Sequence, residues 1–324
     1  MKALIYGISG QDGAYLAQYL LELGYEVWGA SRDASTTQFG RLKKIDVLDK
    51  IKLVSASLGD FRSVLNSLAT AKPDEVYNLS GQSSVSLSFE QPVETMESIS
   101  TGALNLLEAI RFFGKDIKLY NAGSSECFGD TRSQPASEET PFHPRSPYAV
   151  AKAAACWITT NYREAYGIFA CNGILFNHES PLRSERFVTR KVVRAAARIA
   201  SGSQEKLQLG NLDIHRDWGW APEYVRAMWR LMQHPTAEDV VIATGETHSL
   251  RSFVECAFEA AGLDWEQHVE HDPTLLRPTD IMTSYADPTK ACKILDWKAE
   301  VKMHDVVRRM LQDELESERS RRRG

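Results

Sequence analysis

Four side chains in the middle of the sequence have the types and spacing of a redox site joined to an elimination site. Tyr148 and Lys152 are four residues apart, so they share one face of a predicted helix, where an ammonium group lowers the pKa of a phenol. Such a phenol accepts a proton from a hydroxyl group while hydride leaves the same carbon. Glu126, two residues after Ser124, adds a carboxylate that can act as a second base.

Each of these motifs also has an ordinary structural explanation. A Tyr-x-x-x-Lys pair is common on helices, and a serine followed by a glutamate is typical of a helix or turn cap. Position favours catalysis, because Ser124 and Glu126 follow a strand predicted at 117–122 and should project from the carboxyl edge of a sheet. Ser146 and Pro147 supply an N-cap and a first-turn proline for the helix that carries Tyr148.

A glycine-rich turn provides the context for the pair. Gly7-Ile-Ser-Gly-Gln-Asp-Gly13 lies between an apolar strand and an amphipathic helix, which is typical of a dinucleotide phosphate turn. After the second strand, Arg32 favours the 2′-phosphate of NADP, whereas the adjacent Asp33 keeps NAD open. Together with this turn, the Tyr148 and Lys152 pair indicates a redox site and not a chance match on a helix.

The surrounding elements predict an α/β fold, a Rossmann-type doubly wound parallel sheet with a smaller, mostly helical C-terminal lobe. Strands are predicted at 2–6, 26–30, 51–55, 75–79, 117–122, 170–176 and 239–243, with helices between them. A polar, turn-rich stretch is predicted at 177–181, a long helix from 187 to about 202, and a charged terminal helix at 308–319. We assign 1–176 plus roughly 216–246 and 280–290 to the dinucleotide-binding domain, and roughly 177–215, 247–279 and 291–324 to a substrate-binding lobe.

Composition excludes several classes of protein. The 324 residues carry a net charge of −5, which disfavours nucleic acid as a partner, and no stretch has the length and apolarity of a membrane span or a signal peptide. We therefore expect a cytoplasmic protein. Five widely spaced cysteines without a Cys-x-x-Cys pair indicate reduced thiols and no metal site.

The longest motifs carry a resemblance to a known family. They include Arg145-Ser-Pro-Tyr-Ala-Val-Ala-Lys152, Cys171-Asn-Gly-Ile-Leu-Phe-Asn-His-Glu-Ser-Pro181, Phe187-Val-Thr-Arg-Lys191 and Arg216-Asp-Trp-Gly219. With these motifs, from about residue 2 to about 313, the chain resembles the extended short-chain dehydrogenase/reductases, and among them the GDP-mannose 4,6-dehydratase family.

The resemblance implies an NADP-dependent lyase that oxidises a GDP-linked sugar at C4, removes water across C5 and C6, and returns the hydride to C6. GDP-mannose would yield GDP-4-keto-6-deoxy-mannose. Tyr148 would deprotonate the C4 hydroxyl, and Lys152 would hold Tyr148 and the nicotinamide ribose. Glu126 would take the C5 proton and help to expel the C6 hydroxyl, while Ser124, a threonine in the family, would bind the sugar oxygens.

The resemblance also implies binding residues. The cofactor set is Gly7, Gly10, Gln11, Asp12, Gly13, Arg32, Ser57, Leu58, Leu79, Ser80, Gly81, Gln82, Ser83, Tyr148, Lys152, His178 and Arg183. The substrate set is Ser83, Ser124, Glu126, Asn177, Lys191, Arg216 and Arg277. A homo-oligomer, dimer or tetramer, is implied too, and in the tetramer the loop at 32–41 reaches a neighbour's cofactor site.

Several alternatives stay open on the sequence. A GDP-manno-heptose needs the same chemistry in a roomier pocket. A nucleotide-sugar 4-epimerase or reductase would use Tyr148 and Lys152 but has no need for Glu126 as a base. A non-catalytic dinucleotide-sensing protein needs the glycine turn alone.

Overall fold

A computed structural model describes residues 1–114, 116–132, 134–275 and 279–323. Its centre is a seven-stranded sheet with the order β3-β2-β1-β4-β5-β6-β11, in which all neighbouring strands are parallel. In chain order the strands are β1 (Lys2–Tyr6), β2 (Glu26–Ser31), β3 (Lys52–Ser55), β4 (Glu75–Asn78), β5 (Lys118–Ser124), β6 (Ala170–Leu175), β7 (Asn177–Glu179), β8 (Leu207–Leu209), β9 (His215–Arg216), β10 (Trp218–Trp220), β11 (Asp239–Ile242), β12 (His248–Ser249) and β13 (Val269–His271).

Helices cover both faces of this sheet and build most of the rest of the chain. They are α1 (Gln11–Glu22), α2 (Gly40–Lys44), α3 (Phe61–Ala71), α4 (Val85–Glu90), α5 (Pro92–Met96), α6 (Gly102–Phe113), α7 (Pro147–Tyr166), α8 (Val188–Ala200), α9 (Ala221–Gln233), α10 (Leu250–Ala260), α11 (Thr289–Leu295) and α12 (Met303–Arg323). Within the described residues, none of the helices is long and apolar enough to cross a membrane.

The predicted fold class is confirmed, because short apolar runs alternate with amphipathic helices as a doubly wound sheet requires. The strand order reverses between β1 and β4, whose last residues, Tyr6 and Asn78, are direct neighbours. Ligands of such sheets bind beyond the carboxyl ends of the strands at this reversal. The glycine turn, which follows β1, therefore lies at the expected binding edge.

The prediction of a turn at 177–181 is wrong for its first three residues. They form β7, which pairs in parallel with β10 and places His178 opposite Gly219. The polar sequence is compatible with a strand because His178 and Glu179 are buried and bound by distant side chains. The partner of His178, Asp12, is 166 residues away along the chain, so the local sequence does not reveal it.

A separate apolar cluster lies away from the sheet. It joins α8, α10 and α12, with Val193, Phe253 and Val307 fully buried. The terminal helix starts at Met303, earlier than predicted, because its first turns contribute Met303 and Val307 to this cluster. The cluster is consistent with a smaller lobe, and the exact lobe boundaries stay a prediction.

Candidate active site

In the glycine turn between β1 and α1, backbone atoms pack so closely that Gly7 and Gly13 leave no room for a Cβ atom. Gly7 has a φ of +86°, and a Cβ there would lie 2.6 Å from the carbonyl oxygen of Leu79. A Cβ on Gly13 would lie 2.4 Å from the Gly7 carbonyl oxygen. Gly10 is the N-cap residue of α1, so the helix N-terminus lies at the turn. No side-chain hydrogen bond occupies this N-terminus. These features fit the pyrophosphate of a dinucleotide.

Gln11 and Asp12 join this turn to β7. The Gln11 amide donates to the His178 carbonyl oxygen at 3.1 Å and accepts from the Ser180 hydroxyl at 2.7 Å. Gln11 is therefore a structural link, and its side chain does not face the cleft. Asp12 does line the cleft and lies 2.9 Å from Nε2 of His178.

His178 is fixed by hydrogen bonds at both ring nitrogens. Its Nδ1 donates to the Phe176 carbonyl oxygen at 2.7 Å, and its Nε2 meets the Asp12 carboxylate, so both ring nitrogens face acceptors. Burial lowers the pKa of His178, but the charge of Asp12 and the hydrogen bonds to Asp12 and Phe176 together outweigh burial, so the net change is upward. Burial raises the pKa of Asp12, but the charge and hydrogen bond of His178, with smaller contributions from Gln11 and Arg183, outweigh burial and lower this pKa to about 2. The ring also stacks on Tyr224 at 4.6 Å.

Arg183 lines the cleft, and contacts with Glu179 and Phe187 orient its guanidinium. Its Nε lies 3.1 Å from the Glu179 carboxylate, and its guanidinium stacks on Phe187 at 3.6 Å. Two further arginines were missed on the sequence. Arg41 donates to the carbonyl oxygens of Leu182 and Ser9, whereas the exposed Arg186 lines the cleft.

The loop after β2 separates the roles of Arg32 and Asp33. The Asp33 carboxylate accepts hydrogen bonds from the backbone of Ser35 and Thr36 and from the Ser35 hydroxyl, at 2.6 to 3.1 Å. These bonds lower the pKa of Asp33. Arg32 is exposed, and among the described residues it has no hydrogen bond or ion pair. The Asp33 carboxylate thus stabilises the loop after β2, and the Arg32 guanidinium is available to a ligand.

The remaining predicted cofactor residues lie in the segments after β3 and β4. Leu79 and Ser83 line the cleft, and Gly81 has a φ of +113° that favours glycine. Ser80 donates to the Asn78 side chain at 3.0 Å. The cleft lining does not include the other predicted cofactor residues Gly7, Gly10, Gly13, Arg32, Ser57, Leu58, Ser80, Gly81 and Gln82.

Ser124 and Glu126 lie at the carboxyl end of β5, as predicted. The Ser124 hydroxyl accepts a hydrogen bond from the Glu126 backbone at 3.3 Å and so caps a 3₁₀ turn, Ser125–Phe128. The Glu126 side chain is half-buried and lines the cleft. Among the described residues, its carboxylate accepts no hydrogen bond and forms no ion pair. It is thus available to a substrate proton.

Tyr148 and Lys152 face the same cleft from α7, which Ser146 caps through a 3.1 Å hydrogen bond to the Ala149 backbone. The Lys152 ammonium donates to the Ala122 carbonyl oxygen at 2.7 Å, and burial lowers its pKa. The prediction that Lys152 lowers the pKa of Tyr148 is wrong for this structure. Burial raises the pKa of Tyr148 well above its ordinary value, and a hydrogen bond with Ser124 offsets only part of the rise.

The cleft has a cavity volume of about 360 Å³, within the 300–1,000 Å³ range of typical ligand pockets. At its far end, the Lys191 ammonium donates to the Gln208 carbonyl oxygen at 2.7 Å, and Arg216 is buried and donates to the Ile281 carbonyl oxygen at 2.8 Å. Asn177 also lines the cleft. Arg277, predicted as a phosphate ligand, lies outside the described residues.

The cleft thus brings together most of the predicted catalytic and substrate residues. They are Ser83, Ser124, Glu126, Tyr148, Lys152, Asn177, Lys191 and Arg216. A basic segment of sequence, with Arg183, Arg186 and Lys191, is the one signal that could have indicated Arg186. Arg41 had no such signal, since its partners lie far away along the chain.

Comparison with known proteins places this arrangement in a family. The model of the GDP-mannose 4,6 dehydratase family matches residues 4–310. The chain belongs to the GDP-mannose 4,6-dehydratase family. It is 50% identical to GDP-mannose 4,6 dehydratase 1 of Arabidopsis thaliana, with 97% of this chain and 90% of the relative covered.

Two further comparisons extend this result. Identity to the GDP-mannose 4,6-dehydratase of Sinorhizobium fredii is 45%, with 97% of this chain and 96% of the relative covered. Among solved structures, UDP-glucose 4-epimerase of Thermus thermophilus in complex with NAD superimposes with a TM-score of 0.85 at 25% identity, over 97% of this chain and 99% of that one. The shared fold extends over nearly the whole chain.

Proposed function

We propose that this protein is a hydro-lyase that converts GDP-mannose to GDP-4-keto-6-deoxy-mannose and water. Family membership supports a nucleotide-sugar 4,6-dehydratase, since relatives carrying that name match almost the whole chain. The observation that carries the proposal is the carboxylate of Glu126, which lies with Ser124 and Tyr148 in one cleft and has no partner among the residues that the structure describes. An epimerase or reductase needs no base at that position, and a dinucleotide sensor needs none of the three.

Glu126 is the base for elimination. A C4 ketone makes the C5 proton acidic, and a half-buried carboxylate with no competing partner among the described residues can remove it. The protonated acid then assists departure of the C6 hydroxyl as water. Ser124 lies two residues away at the end of β5, where its hydroxyl can hold a sugar oxygen.

Tyr148 is the base for the C4 hydroxyl. Its pKa is raised by burial, so the ionised phenolate has to be stabilised when substrate and cofactor are bound. Lys152, on the next turn of α7, is the cation placed to do so, provided that its ammonium exchanges the Ala122 carbonyl for the phenol and a ribose hydroxyl.

The cofactor is a nicotinamide dinucleotide, and we propose NADP. A bound nicotinamide would supply the acceptor for the C4 hydride and the donor of the same hydride to C6, so no reduced cofactor would accumulate. Gly7, Gly10 and Gly13 would face its pyrophosphate. Arg32 supports NADP, because it is free to meet a 2′-phosphate while Asp33 is occupied within its loop.

Lys191 and Arg216, with Arg277, are the cations that would hold the diphosphate of the substrate. A homo-oligomer is the proposed assembly. Val150 and Trp157 on α7 and Phe112 on α6 are exposed apolar side chains, and Trp157 is 64% accessible. Analytical ultracentrifugation measures the assembly state. Cytoplasmic location stays a prediction.

A substrate screen tests the function. Purified protein is incubated with GDP-mannose, GDP-manno-heptose or a UDP-sugar, with NADP or NAD, and the products are weighed by mass spectrometry. We expect GDP-mannose to lose one water with NADP, without a rise in absorbance from reduced cofactor. Stoichiometric formation of NADPH, or dehydration of the heptose alone, would contradict the proposal.

A further inference from the structure

A row of buried polar side chains crosses four neighbouring strands of the sheet. The strand register pairs Asn78 with Asn121, Asn121 with Asn172, and Asn172 with Asp239. The side chains bond in the same order, at 3.1, 2.9 and 3.0 Å. The three amides are at most 5% accessible, so water does not compete for these bonds. We call this row the amide chain.

The direction of donation along the amide chain is fixed at one end. Arg163 binds the Asp239 carboxylate at 2.7 and 3.0 Å, and the net effect on the pKa of Asp239 is a decrease, although burial opposes it. An ionised carboxylate only accepts hydrogen bonds. Asn172 must therefore turn its NH₂ group towards Asp239 and its oxygen towards Asn121.

The orientation of the Asn172 amide determines the orientations of the Asn121 and Asn78 amides. The Asn172 oxygen accepts from the Asn121 NH₂ group, and the Asn121 oxygen accepts from the Asn78 NH₂ group. The Asn78 side-chain oxygen is left at the other end, where it accepts from the Ser80 hydroxyl at 3.0 Å. The proton of Ser80 is committed to Asn78, and the lone pairs of Ser80 oxygen face away from the chain.

Ser80 lies against the glycine turn. A Cβ on Gly7 would be 2.9 Å from the Ser80 backbone nitrogen, so the two segments are in contact. The amide chain also binds the catalytic helix, because the Asn172 NH₂ group donates to the Cys156 carbonyl oxygen at 3.1 Å, one turn after Lys152. One polar row thus connects the cofactor edge to α7.

We propose that Asn78, Asn121, Asn172 and Asp239 are positioning residues that fix the Ser80 hydroxyl as a hydrogen-bond acceptor for a hydroxyl donor of the dinucleotide. The inference rests on the proposed dinucleotide site. It adds a physical reason for buried amides, because a hydroxyl whose proton direction is set beforehand loses less freedom when the ligand binds. A row that only stabilised the sheet would not affect Ser80.

A double-mutant cycle between Asn121 and Ser80 tests this inference. Asn121→Leu cuts the amide chain at its centre, Ser80→Ala removes the acceptor, and the double variant carries both changes. Dissociation constants for NADP and for GDP are measured by calorimetry, with melting temperatures recorded for each variant. Thr159→Val is the matched control, since Thr159 is fully buried on α7 and donates to Ala155 within its own helix.

We expect each single variant to bind NADP about tenfold more weakly, and the double variant to bind no more weakly than Ser80→Ala. GDP affinity and the control should stay within about twofold of wild type. About hundredfold weaker NADP binding by the double variant would mean that the two effects multiply, and this would overturn the inference. Wild-type NADP affinity in Asn121→Leu would also overturn it. Neither result would contradict the proposed function. Wild-type protein that binds no nicotinamide dinucleotide would overturn the proposed function.

Asp239→Asn is the second cut if Asn121→Leu does not fold. An amide at 239 offers hydrogens as well as an oxygen, so the direction of the chain is no longer imposed. The same tenfold loss, again absent in combination with Ser80→Ala, is expected. Unchanged NADP affinity in Asp239→Asn would contradict the inference.

Discussion

Glu126 differs from the other carboxylates of the cleft in what it binds. Asp12 is paired with His178, and Glu179 is bound by Arg183 and Thr189. Both groups are committed to the structure, whereas the Glu126 carboxylate has no partner among the described residues. Residue type and chain position predicted it as a base, and its surroundings leave it free for that role.

The side chains around it could be predicted only in part. The spacing of Tyr148 and Lys152 placed both in the cleft, but the pKa of Tyr148 depends on burial, which the spacing does not contain. Arg41 was missed because its partners, Ser9 and Leu182, are 32 and 141 residues away along the chain. Non-local contacts of this kind have no sequence signature.

Arg32 and Asp33 give a prediction about cofactor preference. Arg32→Gln removes the free cation, so NADP affinity should fall by about tenfold or more while NAD affinity stays nearly constant. Asp33→Asn is the control, because its amide oxygen can still accept the bonds from Ser35 and Thr36. Titration with both cofactors is the measurement. Equal losses for NADP and NAD in Arg32→Gln would exclude a contact with the 2′-phosphate.

At the level of elements, the strands of the sheet follow their predicted ranges closely. Buried apolar runs such as β1 and β6 are visible in the sequence because a doubly covered parallel strand must be apolar on both faces. β7 was missed for the opposite reason. Its polar side chains are satisfied by Asp12 and Thr189, and no local pattern reveals these contacts.

The packing of α1 on β1 predicts the effect of one methyl group. Gly13→Ala places a Cβ 2.4 Å from the Gly7 carbonyl oxygen, so we expect a loss of about 1–3 kcal/mol in stability and at least tenfold weaker dinucleotide binding. Gly40→Ala is the control, because no atom lies within 4 Å of its added Cβ. Thermal melting and cofactor titration measure both effects. Normal cofactor affinity in Gly13→Ala would refute the assigned role of the turn.

At the scale of the whole molecule, alternation of strands and helices was sufficient to predict the fold class. The lobe boundaries stay a prediction. Asp217 lies between β9 and β10, is fully buried, and accepts hydrogen bonds from the backbone of Thr244 and Gly245. Burial is the main reason that its pKa is raised to about 6.

Asp217 therefore links stability to pH. Its folded pKa of about 6 exceeds the ordinary value of 3.8, so ionisation above pH 6 disfavours the folded state and protonation on acidification relieves that cost. Between pH 7.5 and 5 this group should add about 1.4 kcal/mol to wild-type stability. Asp217→Asn should lack this increment. Denaturant unfolding at both pH values measures it, and an identical pH response in the two proteins would contradict the assignment.

In the proposed reaction, Glu126 removes the C5 proton during an internal redox cycle. The most direct measurement is mass spectrometry of the product formed from GDP-mannose and NADP in D₂O, by wild type and by Glu126→Gln. Wild type should give a product that has lost one water and carries solvent deuterium at C5. Glu126→Gln should bind NADP normally but form product at least about a hundredfold more slowly, because an amide is not a base. Deuterated product formed by Glu126→Gln at the wild-type rate would contradict the account.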